Sequence, residues 1–361
     1  MKGQAKRITR SVQVGHIPMG GGAPISVQSM CTTDTRDWKA TLLQIKQLEE
    51  AGCDIVRVAV PDAEAAQALS MICWQSPIPV VADIHFDYRL AIAAIRAGVH
   101  KIRINPNNMR DDDGLKRTAE AARQRCIPIR VGVNSGSLSR ELIDRHGGVT
   151  AEAMVESALS ACADLEREGF YDIVLSAKAS CPMLMIETYR KLSKACDYPL
   201  HLGVTEAGTR EEGIIRSAVG LGALLSEGIG DTIRVSLTAD PVLEVQAAYS
   251  ILKALSLRQR GATLVSCPTC GRTEVPLIAI AEEVEKRLKD IKAPIRVAVM
   301  GCVVNGPGEA READVGIAGG KDSFVLFRKG EVLQKVRADH AVAALMDEVD
   351  RWVKEMEQAD A

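Results

Sequence analysis

From residue 23 to residue 257 the chain repeats one device: a short run of β-branched and apolar residues, then an amphipathic stretch. That alternation marks βα units and a parallel sheet, because parallel neighbours need a crossover that a helix supplies. Eight strands are predicted, over 25–30, 55–60, 80–84, 101–105, 129–134, 173–178, 200–205 and 232–237. Helices fall between them, among them 38–51, 87–97, 151–168 and 211–226. In the last, Ile214, Ala218, Leu221 and Leu225 recur at helical spacing. Eight strand–helix pairs in about 230 residues point to a closed (β/α)8 barrel. An open doubly wound sheet would usually carry a G-x-G-x-x-G turn after its first strand, and none is present. The run Gly20-Gly21-Gly22 lacks the Gly-Lys-Ser/Thr ending of a phosphate loop and reads as the turn closing a small N-terminal hairpin.

After Leu257 the pattern changes. Residues 256–262 read as a linker, followed by a cysteine turn, a helix over 276–288, a strand over 295–300, a second cysteine turn, short strands near Val315 and Phe324, and a helix over 340–356. The chain is therefore α/β, a barrel domain over 1–257 and a small α+β domain over 258–361.

Composition narrows the function. A net charge of −2 and 3% aromatic residues leave neither a basic face nor stacking platforms for nucleic acid. The sequence has no apolar run of membrane-spanning length and no apolar signal segment at its start, so a cytoplasmic protein is expected. In that compartment the 10 cysteines are expected as thiols or metal ligands. Cys53, Cys73, Cys126, Cys162 and Cys196 lie among Ala, Ile and Val and read as small buried hydrophobes. Cys31 and Cys181 follow predicted strands at the barrel rim and read as site-lining residues.

The other three sit in two turns, Cys267-Pro268-Thr269-Cys270-Gly271-Arg272 and Gly301-Cys302-Val303-Val304-Asn305-Gly306-Pro307-Gly308-Glu309. The C-x-x-C pair alone suits structural zinc and an iron–sulfur cluster equally. The third cysteine favours the cluster, because no second C-x-x-C or H-x-x-x-H supplies a fourth strong zinc ligand. A cluster can use three thiolates and leave one iron for an oxygen ligand.

Barrel enzymes react at the C-terminal ends of their strands. There the sequence places Arg57, then Asp83 and His85, Arg103 and Asn105, Arg130 and Asn134, Lys178, Glu206, and Arg234 with Ser236. Five cations in one cavity call for an anion, and guanidinium forks with Asn donors suit a diphosphate. Asp83 and Glu206 are the candidate proton carriers, and His85 serves either proton transfer or strand capping. The Gly- and Ser-rich stretch 135–150, with Arg140 and Arg145, reads as a long loop suited to a mobile lid.

This barrel mouth, followed by Cys-Pro-Thr-Cys-Gly-Arg and Met-Gly-Cys-Val-Val-Asn-Gly-Pro-Gly-Glu, resembles the 4-hydroxy-3-methylbut-2-enyl diphosphate synthases of the non-mevalonate isoprenoid pathway, in their two-domain bacterial form. The resemblance spans essentially the whole chain. It implies a [4Fe-4S] cluster on Cys267, Cys270, Cys302 and Glu309, with no departure from the motif at these four positions. It implies as substrate 2-C-methyl-D-erythritol 2,4-cyclodiphosphate, opened and dehydroxylated to an allylic diphosphate with electrons from flavodoxin or ferredoxin, Glu206 helping to protonate the departing oxygen. It also implies a head-to-tail homodimer in which the cluster domain of one subunit closes the barrel of the other. The rival readings are a cluster-free barrel transferase of the pterin-binding type with a structural zinc tail, a radical S-adenosylmethionine enzyme lacking its C-x-x-x-C-x-x-C loop, and a zinc-ribbon interaction module.

Overall fold

The computed structural model describes residues 6–105, 112–302, 312–321 and 323–359. The chain divides into two compact units, Met1–Arg258 and Gln259–Ala361. Among the described residues no helix is long and apolar enough to cross a membrane.

The first unit opens with a hairpin of β1 (Ser11–Val14) and β2 (Ile17–Gly20). Its turn is made at Gly15, in the left-handed region at φ 59°, so the triple glycine leads out of the hairpin and does not close it. Then come the eight parallel strands: β3 (Ser26–Met30), β4 (Ile55–Ala59), β5 (Val80–Asp83), β6 (Lys101–Ile104), β7 (Ile129–Asn134), β8 (Ile173–Lys178), β9 (His201–Leu202) and β10 (Thr232–Ile233). They pair in the order β8-β7-β6-β5-β4-β3-β10-β9. A bridge between Leu175 and Leu200 joins β8 to β9, which closes the barrel.

Nine helices intervene among the described residues: α1 (Trp38–Ala51), α2 (Ala63–Gln75), α3 (Tyr88–Ala97), α4 (Asp112–Gln124), α5 (Arg140–His146), α6 (Ala151–Arg167), α7 (Pro182–Ala195), α8 (Arg210–Ser226) and α9 (Pro241–Ala254). Sequence sets their starts. Asp37, Asp62, Asp87, Ser139, Thr150 and Asp240 each accept a first-turn N–H, a cap worth about 1 kcal/mol. The main core lies between strands and helices, built from residues such as Ile45, Leu69, Ile102, Val131 and Leu224, all fully buried. Val12, Val14 and Met19 of the hairpin pack against Ile55, Val81 and Val174, strand residues that form a second apolar cluster with it.

Stretch 135–150 is not a plain loop. A 3-10 turn at Ser135–Ser137 leads to α5, which Ser139 starts and Gly147, left-handed at φ 68°, ends. Cys126 also departs from expectation, since it is exposed and takes φ 53° in the turn after α4. Cys53 and Cys162 are buried as expected, and Cys73 and Cys196 are only half-buried.

The second unit is a five-stranded sheet in the order β11 (Thr263–Ser266), β12 (Arg296–Met300), β13 (Val315–Gly319), β14 (Ser323–Arg328), β15 (Glu331–Arg337). The first three are parallel and the last two antiparallel. Helices α10 (Leu277–Leu288) and α11 (Ala341–Ala359) carry Leu277, Val284, Leu345 and Val349 into a core with Val297, Val299, Ile317 and Phe324.

Candidate functional sites: a cationic barrel mouth and a three-cysteine turn pair

Strand alternation dictates what the barrel encloses. Side chains two apart on a strand share a face, so Lys101 and Arg103 point one way from β6, as do Arg130, Gly132 and Asn134 from β7. Arg103 Nη1 donates to Asp83 Oδ1 at 3.2 Å, and its guanidinium lies over Gly132. Arg57 Nε stands 3.7 Å from Asp83 Oδ2, and His85 Nε2 3.6 Å from the same oxygen. Asp83 therefore ties together three neighbours. Burial would raise its pKa, but Arg57, the His85 hydrogen bond, Arg103 and Arg130 outweigh burial and hold it well below the usual carboxylate range. Burial pulls Arg57 the other way, down to about 10.

Arg130 and Lys178 are buried and make no ion pair among the described residues. For both, burial and then neighbouring guanidiniums push the pKa well below its ordinary value, the mark of cations gathered without their counter-charge. Arg234 is paired, Nη2 to Glu244 Oε1 at 3.2 Å. Asn105 is buried, and Asn134 and Ser236 are half-buried at the same strand ends. Glu206 is exposed and adopts a left-handed backbone, φ 51°, unusual for a residue with a side chain. His85 is likewise exposed. Cys31 is buried, and burial pushes its thiol up to about 12, while Cys181 is exposed at the start of α7.

Three participants escape a reading of strand ends. Lys101 and His201 are fully buried, and the Lys101 Nζ and both His201 ring nitrogens lack a hydrogen-bond partner among the described residues. The signal for Lys101 was its place two residues before Arg103. Glu244, on the first turn of α9, is the second buried carboxylate beside these cations. Six cations, Arg57, Lys101, Arg103, Arg130, Lys178 and Arg234, thus stand against two buried carboxylates. Such an imbalance suits a polyanionic small molecule.

Two glycines make the room. A Cβ on Gly132 would lie 2.6 Å from Arg103 Nε, and one on Gly203 would lie 2.7 Å from the Arg234 carbonyl and 3.0 Å from Lys178 Nζ. Gly203→Ala is expected to displace Lys178 and weaken polyanion binding by about tenfold or more, with a stability loss of about 1–3 kcal/mol. Titration calorimetry with pyrophosphate, beside chemical denaturation, checks both.

In the second unit the two cysteine turns are pinned to each other. Gly301 N–H donates to Cys267 Sγ at 3.2 Å, and Glu274 N–H to the Gly301 carbonyl at 3.1 Å. Cys270 N–H donates to Thr273 Oγ1 at 3.1 Å, which tightens the C-x-x-C turn. Cys302 is buried, Cys267 half-buried and Cys270 exposed. Hydrogen bonds from the Arg272 backbone and side chain lower the Cys270 thiol, favouring thiolate. Among the described residues no three His, Cys, Asp or Glu side chains are gathered closely enough to hold a metal ion. Glu309 lies outside the described residues. The donor set still fits a thiolate-bound cluster: three sulfurs on two mutually bonded turns, the first beside the next turn's backbone.

Fold and site together define a (β/α)8 barrel with a cation-lined mouth, joined to a small cysteine-bearing α+β domain. A family model described as the GcpE TIM-barrel domain matches residues 9–249, and one described as the GcpE protein C-terminal domain matches residues 263–351. The chain belongs to the GcpE family. It is 55% identical over 350 residues to a protein of Caldanaerobacter subterraneus named 4-hydroxy-3-methylbut-2-en-1-yl diphosphate synthase (flavodoxin), covering 97% of this chain and 99% of that one. A protein of the same name from Geobacter sulfurreducens is 57% identical over 350 residues, with the same coverage. The solved structure of a dihydropteroate synthase from Yersinia pestis is 12% identical over 68% of this chain and 98% of its own, with a TM-score of 0.48, too slight a likeness to bear on function.

Proposed function

We propose that the chain is an iron–sulfur oxidoreductase that opens 2-C-methyl-D-erythritol 2,4-cyclodiphosphate and removes a hydroxyl to give 4-hydroxy-3-methylbut-2-enyl diphosphate, with reduced flavodoxin as electron donor. Relatives that match nearly the whole chain carry that synthase name. The observation that carries the reading is the barrel mouth, where five cations, with Lys101 deeper in the barrel behind them, face two buried carboxylates, an arrangement matched by a cyclic diphosphate.

The roles follow from chemistry at named atoms. Arg103, Arg130, Lys178 and Arg234 bind phosphate oxygens, and Asn105, Asn134 and Ser236 add neutral donors that orient the ring. Asp83 fixes Arg57 through Oδ2 and Arg103 through Oδ1 while remaining ionised, and His85, beside the same Oδ2 as Arg57, is available to move a proton. Glu206, exposed at its strand end, presents a carboxyl group that protonates the departing oxygen as water. Cys267, Cys270, Cys302 and Glu309 would hold a [4Fe-4S] cluster. When bound, the cluster supplies the two electrons that no side chain can, one at a time. A two-fold homodimer is part of the same proposal, since one interface then serves two sites.

The test is an anaerobic assay with the cyclic diphosphate and reduced flavodoxin. Formation of the allylic diphosphate, with two one-electron donors oxidised per product, is the expected result. Absence of product while the donor remains competent with a known synthase would overturn the reading.

A further inference from the structure

We infer that Glu244 is a positioning residue for the anion site, setting Arg234 and the Ser236 turn through one buried carboxylate. The inference rests on the diphosphate reading above. Glu244 stands in the first turn of α9, outside the strand ends that carry the other polar groups, and only 3% of it is exposed. Three donors from separate places converge on it. Ser29 Oγ on β3 donates to Oε2 at 2.8 Å. Arg234 Nη2 lies 3.2 Å from Oε1 and 3.3 Å from Oε2. The Leu237 N–H donates to Oε1 at 2.9 Å, which fixes the backbone immediately after Ser236. A carboxylate buried with its hydrogen-bonding capacity engaged in this way is held in place and in turn holds its donors.

The arrangement divides the cations of the mouth into three sets. Asp83 anchors Arg57 and Arg103, Glu244 anchors Arg234, and Arg130 and Lys178 have neither. An arginine anchored through one nitrogen keeps the rest of its fork for a ligand: Arg234 Nε is buried and has no partner among the described residues. Glu244 thus aims a guanidinium whose other donors remain open, and aims the Ser236 hydroxyl by the peptide bond beside it.

The idea predicts an effect opposite in sign to simple electrostatics. Glu244→Gln removes a negative charge from a cation-rich cavity, so charge alone predicts tighter anion binding. Positioning predicts weaker binding, because Arg234 loses its anchor and must be ordered by the ligand. Binding of inorganic pyrophosphate and of the cyclic diphosphate to the full-length, cluster-loaded protein, measured by calorimetry, separates the two, with thermal denaturation of the same samples. The expected result is a loss of affinity of about tenfold or more in Glu244→Gln with folding retained. Glu244→Gln is also expected to have a much smaller effect in an Arg234→Met background, where only the hold on the Ser236 turn through the Leu237 N–H is left to lose, as residues acting through one another are non-additive. Unchanged or tighter binding in Glu244→Gln, or an equal loss in both backgrounds, would overturn the inference. Glu244→Asp keeps the charge and shortens the reach. It is expected to weaken binding in the same direction, and serves if the Gln variant fails to fold, unchanged affinity again being contrary. Wild-type protein that binds neither diphosphate would instead overturn the diphosphate reading, and this inference with it.

Discussion

Cys302→Ser is expected to lose iron and sulfide and to cut flavodoxin-dependent turnover by roughly 10³-fold or more, the scale on which an indispensable component is lost. Cys302 is buried at the end of β12, in a turn whose Gly301 binds both Cys267 and Glu274. Serine is nearly isosteric, so the sheet of the second unit should persist, but a neutral hydroxyl is a poor ligand for iron that prefers thiolate. The first unit has its own core. Pyrophosphate affinity should therefore survive while iron, sulfide and turnover fall together. Iron and sulfide analysis, calorimetry and the anaerobic assay on one preparation check the pattern. Retained turnover without iron would contradict it.

Glu206→Gln is expected to lower kcat by about 10²–10³-fold with a much smaller change in KM, because the amide keeps the shape and loses the proton. The backbone adds an independent prediction. A non-glycine residue at φ 51° carries strain of about 1 kcal/mol or more. It is held there because the Thr205 N–H donates to the Ala179 carbonyl on one side, while Ala207 is buried on the other. Glu206→Gly should accordingly be at least as stable as wild type in thermal denaturation and yet nearly inactive. A variant that gains stability while losing turnover would show strain maintained for function. Near-normal kcat in Glu206→Gln would remove this residue from proton transfer.

The barrel was legible because its signal is local and repeated. The strands of a buried parallel sheet read as apolar runs, and α1, α2, α3, α5 and α9, which follow five of them, begin at a side-chain cap. The expected strands over 200–205 and 232–237 shorten to His201–Leu202 and Thr232–Ile233, and Gly203 marks the place, lying against the Arg234 carbonyl where no side chain intervenes. Two strands of the second unit went unread for different reasons. Thr263–Ser266 lies between the expected linker, 256–262, and the cysteine turn, and runs straight into that turn. Glu331–Arg337 is an edge strand exposed almost throughout, so it lacks the alternation that burial of one face imposes. In 135–150 the caps of α5, Ser139 and Gly147, were present in the sequence but read as loop residues.

The site divides in the same way. Residues at strand ends, from Arg57 to Ser236, were placed by counting along strands. Lys101 and His201 required taking the period of two one step deeper into the barrel. Glu244 had no local signal, because its partnership with Ser29 and Arg234 joins an α9 residue to β3 across more than two hundred residues of chain. The cysteines were found by spacing, and their mutual bonding through Gly301 came only with the fold.

The most direct test of the whole account is iron and acid-labile sulfide analysis, with an absorption spectrum, on protein purified without oxygen. The account predicts a brown protein with about four irons and four sulfides per chain. A colourless protein bearing one zinc per chain would contradict it and would return the chain to the class of cluster-free barrel transferases with a structural metal tail.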